Sequence, residues 1–185
     1  MLESICVYCG SRSGTDPVYA MAGRELGHAL AEQGIRLIYG GGNVGLMGIV
    51  ADAVLERGGN ITGVIPEALV SRELAHTQVL DMRIVSSMHA RKSLMAELSQ
   101  GFVALPGGLG TYEELFEMLT WGQLGFHQKP VAILNINQFY DPLLMLLDRA
   151  VEEGFLVAAN RQRLFVATSI SQFIQEFCLQ KDSLP

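Results

Sequence analysis

The chain reads as an α/β protein built on a doubly wound parallel sheet with helices on both faces, in one domain spanning residues 1–185. Three observations predict this. Short β-rich runs alternate with helix-length amphipathic stretches, the glycine-rich segments follow strands, and 49% of the residues are hydrophobic, enough to bury a core on each side of a sheet.

In order, Ser4–Tyr8 reads as the first strand, and Tyr19–Gln33 follows as a helix with apolar residues at three- and four-residue spacing. Arg36–Tyr39 is a strand, Leu46–Arg57 a helix, Asn60–Ile65 a strand, and Val79–Val85 a weaker one. His89–Ser99 is helical, Gly101–Leu105 is a strand, and Thr111–Leu124 is a helix. Val131–Leu134 and Tyr140–Glu153 form the next strand and helix, and Ser171 is placed to cap a last helix reaching Gln180.

Net charge is −6 with thirteen Lys plus Arg, which argues against tracking the phosphates of a nucleic-acid polymer. No apolar run approaches the roughly 20 residues that span a bilayer, and the first residues carry no basic leader, so the chain is expected in the cytoplasm. A mean hydropathy of +0.27 is high for a small monomer and suggests apolar surface buried in a homodimer. Cys6 and Cys9 form a CxxC. Cys6 lies inside an apolar strand and no further zinc ligands follow, so the cysteines read as buried and reduced, with no metal.

In such sheets ligands collect outside the carboxyl ends of the strands. Three strand ends carry small residues: Cys9-Gly10-Ser11, Gly40-Gly41-Gly42-Asn43-Val44-Gly45, and Pro106-Gly107-Gly108-Leu109-Gly110-Thr111. The second satisfies GxGxxG, but the acidic residue that would hold a ribose about 20 positions on is missing, and a dinucleotide cofactor is not expected. The third leads into a helix. Its glycines, the helix N-terminus and the Thr111 hydroxyl suit a phosphate, and a tight turn needing positive φ explains it equally well. No Walker sequence occurs.

Thr111-Tyr112-Glu113-Glu114 matches a capping box, which would occupy Glu114 structurally; both glutamates also stand where a carboxylate could meet a phosphate-bearing sugar. Met88-His89-Ala90-Arg91-Lys92 puts two cations at a helix N-terminus, a position that favours anions. An anionic ligand or the two glutamates would offset them, and a solvated face is the alternative.

These residues resemble the Lonely Guy (LOG) family of cytokinin riboside 5′-monophosphate phosphoribohydrolases, formerly labelled lysine decarboxylase-like. The hallmark PGGxGTxxE is complete over Pro106–Glu114 and MHxRK over Met88–Lys92. Cys9-Gly10-Ser11, Tyr39–Gly42, Gly45–Gly48 and Thr120–Gly125 look like further landmarks of the family. The resemblance implies a homodimeric Rossmann-like fold and hydrolysis of an adenosine monophosphate, often N6-prenylated, to the free base and ribose 5-phosphate. It makes Arg91 and Glu114 the catalytic pair, and Glu73, Lys92, Gly107 to Glu113 and Thr120 nucleotide-lining positions; Gly10, Ser11, Gly41, Gly42 and Met88 are the other binding candidates. Glu114 would stabilise an oxocarbenium-like state and activate water, and Arg91, always charged, would clamp the phosphate or the transition state. Plain AMP and its N6-modified forms compete as substrate, and a non-catalytic nucleotide-binding module is the rival from another class. The older decarboxylase label would require pyridoxal phosphate, yet none of Lys92, Lys129 and Lys181 has a suitable setting, so no cofactor is expected.

Overall fold

Each strand alternates between two apolar faces, which is what lets one sheet separate two cores. In β1 (Ser4–Tyr8), Ile5 and Val7 face one core, while Cys6 and Tyr8 face the other. The same division recurs in β2 (Arg36–Tyr39), β5 (Phe102–Ala104) and β6 (Val131–Leu134). With β3 (Ile61–Pro66), β4 (Met82–Val85) and β7 (Leu164–Ala167), these form a seven-stranded sheet of order β4-β3-β2-β1-β5-β6-β7 in which every pairing is parallel. The computed structural model describes residues 1–70 and 75–179.

One face is covered by α1 (Pro17–Glu32), α2 (Gly45–Glu56) and the C-terminal helix α7, which starts at Ile170–Gln172 and continues as a π-helix over Phe173–Cys178. The other is covered by α3 (Met88–Leu98), α4 (Leu109–Gln123) and α5 (Asp141–Glu152). A short helix α6 (Ala158–Gln162) precedes β7. Among the described residues no helix is long and apolar enough to cross a membrane.

Four details differ from the sequence expectation. β7 and α6 went unread, being short and only partly buried. The expected strand Val79–Val85 begins at Met82, because the chain before it is a turn, closed by Val79 N donating to His76 O at 3.2 Å; only at Asp81 does it reach β3, where the carboxylate accepts from Thr62 Oγ1 at 2.8 Å and the carbonyl from Gly63 N at 3.0 Å. Ser169, rather than Ser171, caps the last helix by accepting from Gln172 N at 3.2 Å; Gln180 lies outside the described residues. Finally, α4 begins at Leu109, one turn earlier in register than a Thr111 cap would give.

The order of strands reverses direction between β1 and β5, so the loops after these two central strands diverge and leave a crevice at the switch point. All three small-residue loops predicted from sequence open at this end of the sheet.

Candidate active site

The loops after β1 and β5 are held together by backbone. Gly10 N donates to Pro106 O at 3.2 Å, and Gly10 O accepts from Leu46 N at the start of α2 at 3.0 Å. Gly107 tolerates nothing larger: an added Cβ would lie 2.7 Å from Thr111 Cβ and 2.9 Å from Gly10 N. Thr111 is therefore packed back against the loop inside the first turn, and the capping box does not form. The cap residue is Gly108, which has no side chain to offer, and among the described residues no side chain caps the N-terminus of α4.

That uncapped terminus opens onto a cavity of about 250 Å³. Gly108, Leu109, Gly110 and Thr111 line one wall, with Glu113 and Glu114 one turn further on. Gly10 and Ser11 from the β1 loop line a second wall, and Met88 and Arg91 from α3 a third. Ten sequence candidates thus meet in one hollow. Gly108 and Gly110 have no neighbouring atom within 4 Å of an added Cβ, so their backbone faces open space that a ligand can approach.

Arg91 is buried in the cavity wall. Its Nη2 donates to Gly40 O at 2.8 Å and its Nη1 lies 3.7 Å from Met88 Sδ. Gly40 sits flush against it, for a Cβ at that position would collide with the guanidinium. Burial raises the Cys9 thiol; the negative charge of Glu114 adds to the rise and the positive charge of Arg91 opposes it, which puts both groups within electrostatic reach of one cavity-lining sulfur. Burial likewise raises Cys6, and the two thiols face opposite cores, so this CxxC is neither a thiolate pair nor a disulfide.

Lys92, the next residue, points elsewhere. It is buried outside the cavity lining, bonded to Glu113 and, at 3.0 Å, to Glu117 Oε1. Burial alone would lower its pKa, but the two carboxylates outweigh it and hold the ammonium above its ordinary value. The cation pair at the start of α3 is thus split: Lys92 anchors α3 to α4, and Arg91 serves the cavity.

The other candidates lie outside this hollow. Gly41, at φ +78, packs against Met82 and Ile65, and Gly42 bridges to Ala75. Gly107 lines a second cavity of about 550 Å³ that shares Gly10, Ser11, Gly108 and Leu109 with the first and is walled by Tyr19, Leu46 and Phe139. Tyr112 is half-buried with its ring edge-on to Tyr140. Thr120 is exposed about three turns down α4, lining a small groove with Phe116, Leu147 and Leu156. Glu73 lies outside the described residues. Sequence reading missed Leu69 as a cavity-wall residue and Glu117 as a partner of Lys92; the Glu113-x-x-x-Glu117 spacing was the available signal for the second.

The family described as "possible lysine decarboxylase" matches residues 47–177. Over 170 residues the chain is 49% identical to the cytokinin riboside 5′-monophosphate phosphoribohydrolase LOG of Oryza sativa subsp. japonica, covering 92% of this chain and 70% of that protein. It is 46% identical over 169 residues to the cytokinin riboside 5′-monophosphate phosphoribohydrolase of Rhodococcoides fascians, covering 91% of this chain and 85% of that protein. A molybdenum cofactor binding protein from Rippkaea orientalis shares the fold, with a TM-score of 0.70 at 22% identity over 96% of each chain.

Proposed function

The chain belongs to the Lonely Guy (LOG) family, and from that premise we propose that it hydrolyses the N-glycosidic bond of an N6-modified adenosine 5′-monophosphate, releasing the adenine-type base and ribose 5-phosphate. The observation that carries the mechanism is the convergence of Arg91, Glu114 and the uncapped N-terminus of α4 on one cavity.

The 5′-phosphate is received by the free N–H groups at the start of α4, where loop glycines allow close approach and the helix dipole favours an anion. The ribose then lies over Glu114. As the bond from C1′ to the base nitrogen breaks, its electron pair leaves with the base, which takes up a proton from solvent, and positive charge develops on the sugar; the Glu114 carboxylate stabilises that charge, takes a proton from the water that forms the new C1′–O bond and then releases it to solvent. Arg91, fixed by the Gly40 carbonyl, holds the nucleotide's oxygens and remains charged throughout. Met47, Leu69 and Met88 supply an apolar wall of the same cavity for the N6 substituent.

A second copy completes the arrangement. On α4, Leu109 (86% exposed), Glu113, Phe116, Thr120 and Leu124 (60% exposed) recur at helical spacing along one face. The stripe is close to symmetric about Phe116: Leu109 mirrors Leu124, and Glu113 mirrors Thr120. Two copies of α4 crossing antiparallel about a two-fold axis would bury the leucines against each other and bring each Thr120 hydroxyl to the other chain's Glu113, at the cavity rim. This is how Thr120 joins a site it does not reach within one chain. The reaction belongs in the cytoplasm, where the three free thiols would stay reduced.

Incubation with AMP and with N6-isopentenyl-AMP, followed by chromatography of base and ribose 5-phosphate, tests the reading. Wild type is expected to release base, and Glu114→Gln to bind nucleotide yet lose at least about 100-fold in kcat. Retained turnover in Glu114→Gln removes that residue from the mechanism; nucleotides bound and recovered intact from wild type would leave a binding module.

A further inference from the structure

In the cavity wall the Arg91 guanidinium is held in part by the Gly40 carbonyl, and Gly40 belongs to a loop that has no regular structure of its own. The loop is strapped from outside. His76 N donates to Gly41 O at 3.0 Å, and Gly42 makes an isolated antiparallel bridge with Ala75. What fixes the strap is the His76 side chain, which is 3% exposed, although histidine is rarely buried without a polar partner. Its Nδ1 accepts from Gln78 N at 3.4 Å, which leaves the proton on Nε2, and Nε2 lies 3.0 Å from Asp52 Oδ1.

Asp52 sits on α2, the helix into which the glycine loop runs at Gly45. The two residues are about two helical turns apart and so lie on the same side of α2. The loop is therefore referenced to one rigid element at both ends: through the chain itself at Gly45, and through Asp52, His76 and Gly41 at the other. Neither Asp52 nor His76 lines the cavity.

We propose that Asp52 and His76 are a positioning pair for the hydrolytic reaction, holding Arg91 in its working orientation through the carbonyls of Gly41 and Gly40. This rests on the reading of Arg91 as a catalytic group. The pair stands outside the cavity; it removes the freedom of the loop whose carbonyl aims the guanidinium.

The experiment is kinetic with a spectroscopic companion. His76→Phe keeps ring volume and removes both hydrogen bonds, and His76→Gln retains a side-chain N–H for Asp52. With N6-isopentenyl-AMP, at a temperature well below each variant's Tm, His76→Phe is expected to lose about tenfold or more in kcat with KM changed less than about twofold, since small misplacements of a catalytic group are costly. His76→Gln restores most of the loss. In an Arg91→Lys background the His76→Phe change costs less than about twofold further, because its route of action has already been removed. A kcat equal to wild type in His76→Phe, or full additivity with Arg91→Lys, would overturn the proposal and leave His76 as a packing residue. The companion measurement needs no turnover. The Arg91 side-chain ¹⁵N resonances, identified by their loss in Arg91→Lys, are expected to be sharp in wild type and in rapid exchange in His76→Phe; unchanged resonances overturn the pair even if no substrate is cleaved. Wild type that cleaves nothing but shows the expected resonance change overturns the hydrolase reading alone.

Discussion

Two glycines of the same loop have opposite reasons for being glycine. At Gly107 the space is already full, so Gly107→Ala must move the backbone of either loop and is expected to cost about 1–3 kcal/mol in urea unfolding, with loss of activity as a by-product. At Gly110 there is nothing within 4 Å, and alanine suits the first turn of a helix better than glycine, so stability is expected to hold or to rise by up to ~1 kcal/mol. The methyl group would instead occupy the approach to the helix N-terminus, and AMP binding measured by calorimetry is expected to weaken about tenfold or more. Unchanged affinity in Gly110→Ala would show that the phosphate lies elsewhere. The placement of this loop, after a strand and at the mouth of a helix, was legible in the sequence, because its glycines interrupt an apolar run on one side and a periodic helix on the other. The role of Thr111 was not. A helix capped by a side-chain-less Gly108 looks, from the residues, like one capped three positions later by threonine, and only the contact between Thr111 and Gly107 separates them.

Among the elements, α4 carries both the terminus proposed to receive the phosphate and the face proposed to meet a second copy. Phe116→Arg places a charge at the centre of that face, where it would meet its own symmetry mate. Sedimentation is expected to show a dimer for wild type and a monomer for the variant, with circular dichroism unchanged and base release reduced about tenfold or more, as the Thr120 hydroxyl leaves the cavity rim. A Phe116→Arg dimer with full activity would remove α4 from the interface. The elements that sequence reading recovered are β1, β2, β3, β5 and β6 with α1 to α5, where buried strands force apolar runs and the helices are long enough to show a period. Those it missed or misplaced lie at the margins: β7 and α6 are too short to show a period, and β4 is shortened because the apolar Val79 belongs to a turn closed on His76. The site depended on the central set, which is why ten of its candidates met in one cavity while the strap through His76 went unread: nothing in the order Ala75-His76-Thr77 announces a contact with Gly41.

At the scale of the whole molecule, the two cores are joined to pH through few groups. His127 is held below its ordinary value, first by burial and then by the nearby charges of Lys129 and Arg163, while its Nε2–H donates to Met118 O at 2.9 Å and its Nδ1 accepts from Lys129 N at 3.1 Å. The folded chain therefore takes up this proton less readily than the unfolded one. Its contribution to stability is complete above about pH 6.5 and declines as pH falls below that value. Tm is expected to drop between pH 7 and pH 5 in wild type and to drop less in His127→Gln; parallel profiles would assign the acid sensitivity to another group. Lys92, shifted the other way, affects stability only in alkali, and Glu56 and Asp81, held low by their partners, affect it only in stronger acid. The parallel sheet has a further consequence, for the order in which a growing chain can assemble. β1 sits at the centre, flanked by β2 on one side and β5 on the other. During synthesis β1, β2 and β3 can pair beneath α1 and α2 as soon as they emerge, but the other edge of β1 has no strand beside it from the completion of Tyr39 until Phe102–Ala104 have been made. A nascent chain stalled in that interval would display an open, apolar strand edge flush with the future catalytic crevice, and it is there, rather than at either border of the finished sheet, that a chaperone or an aggregating neighbour would find this protein most receptive.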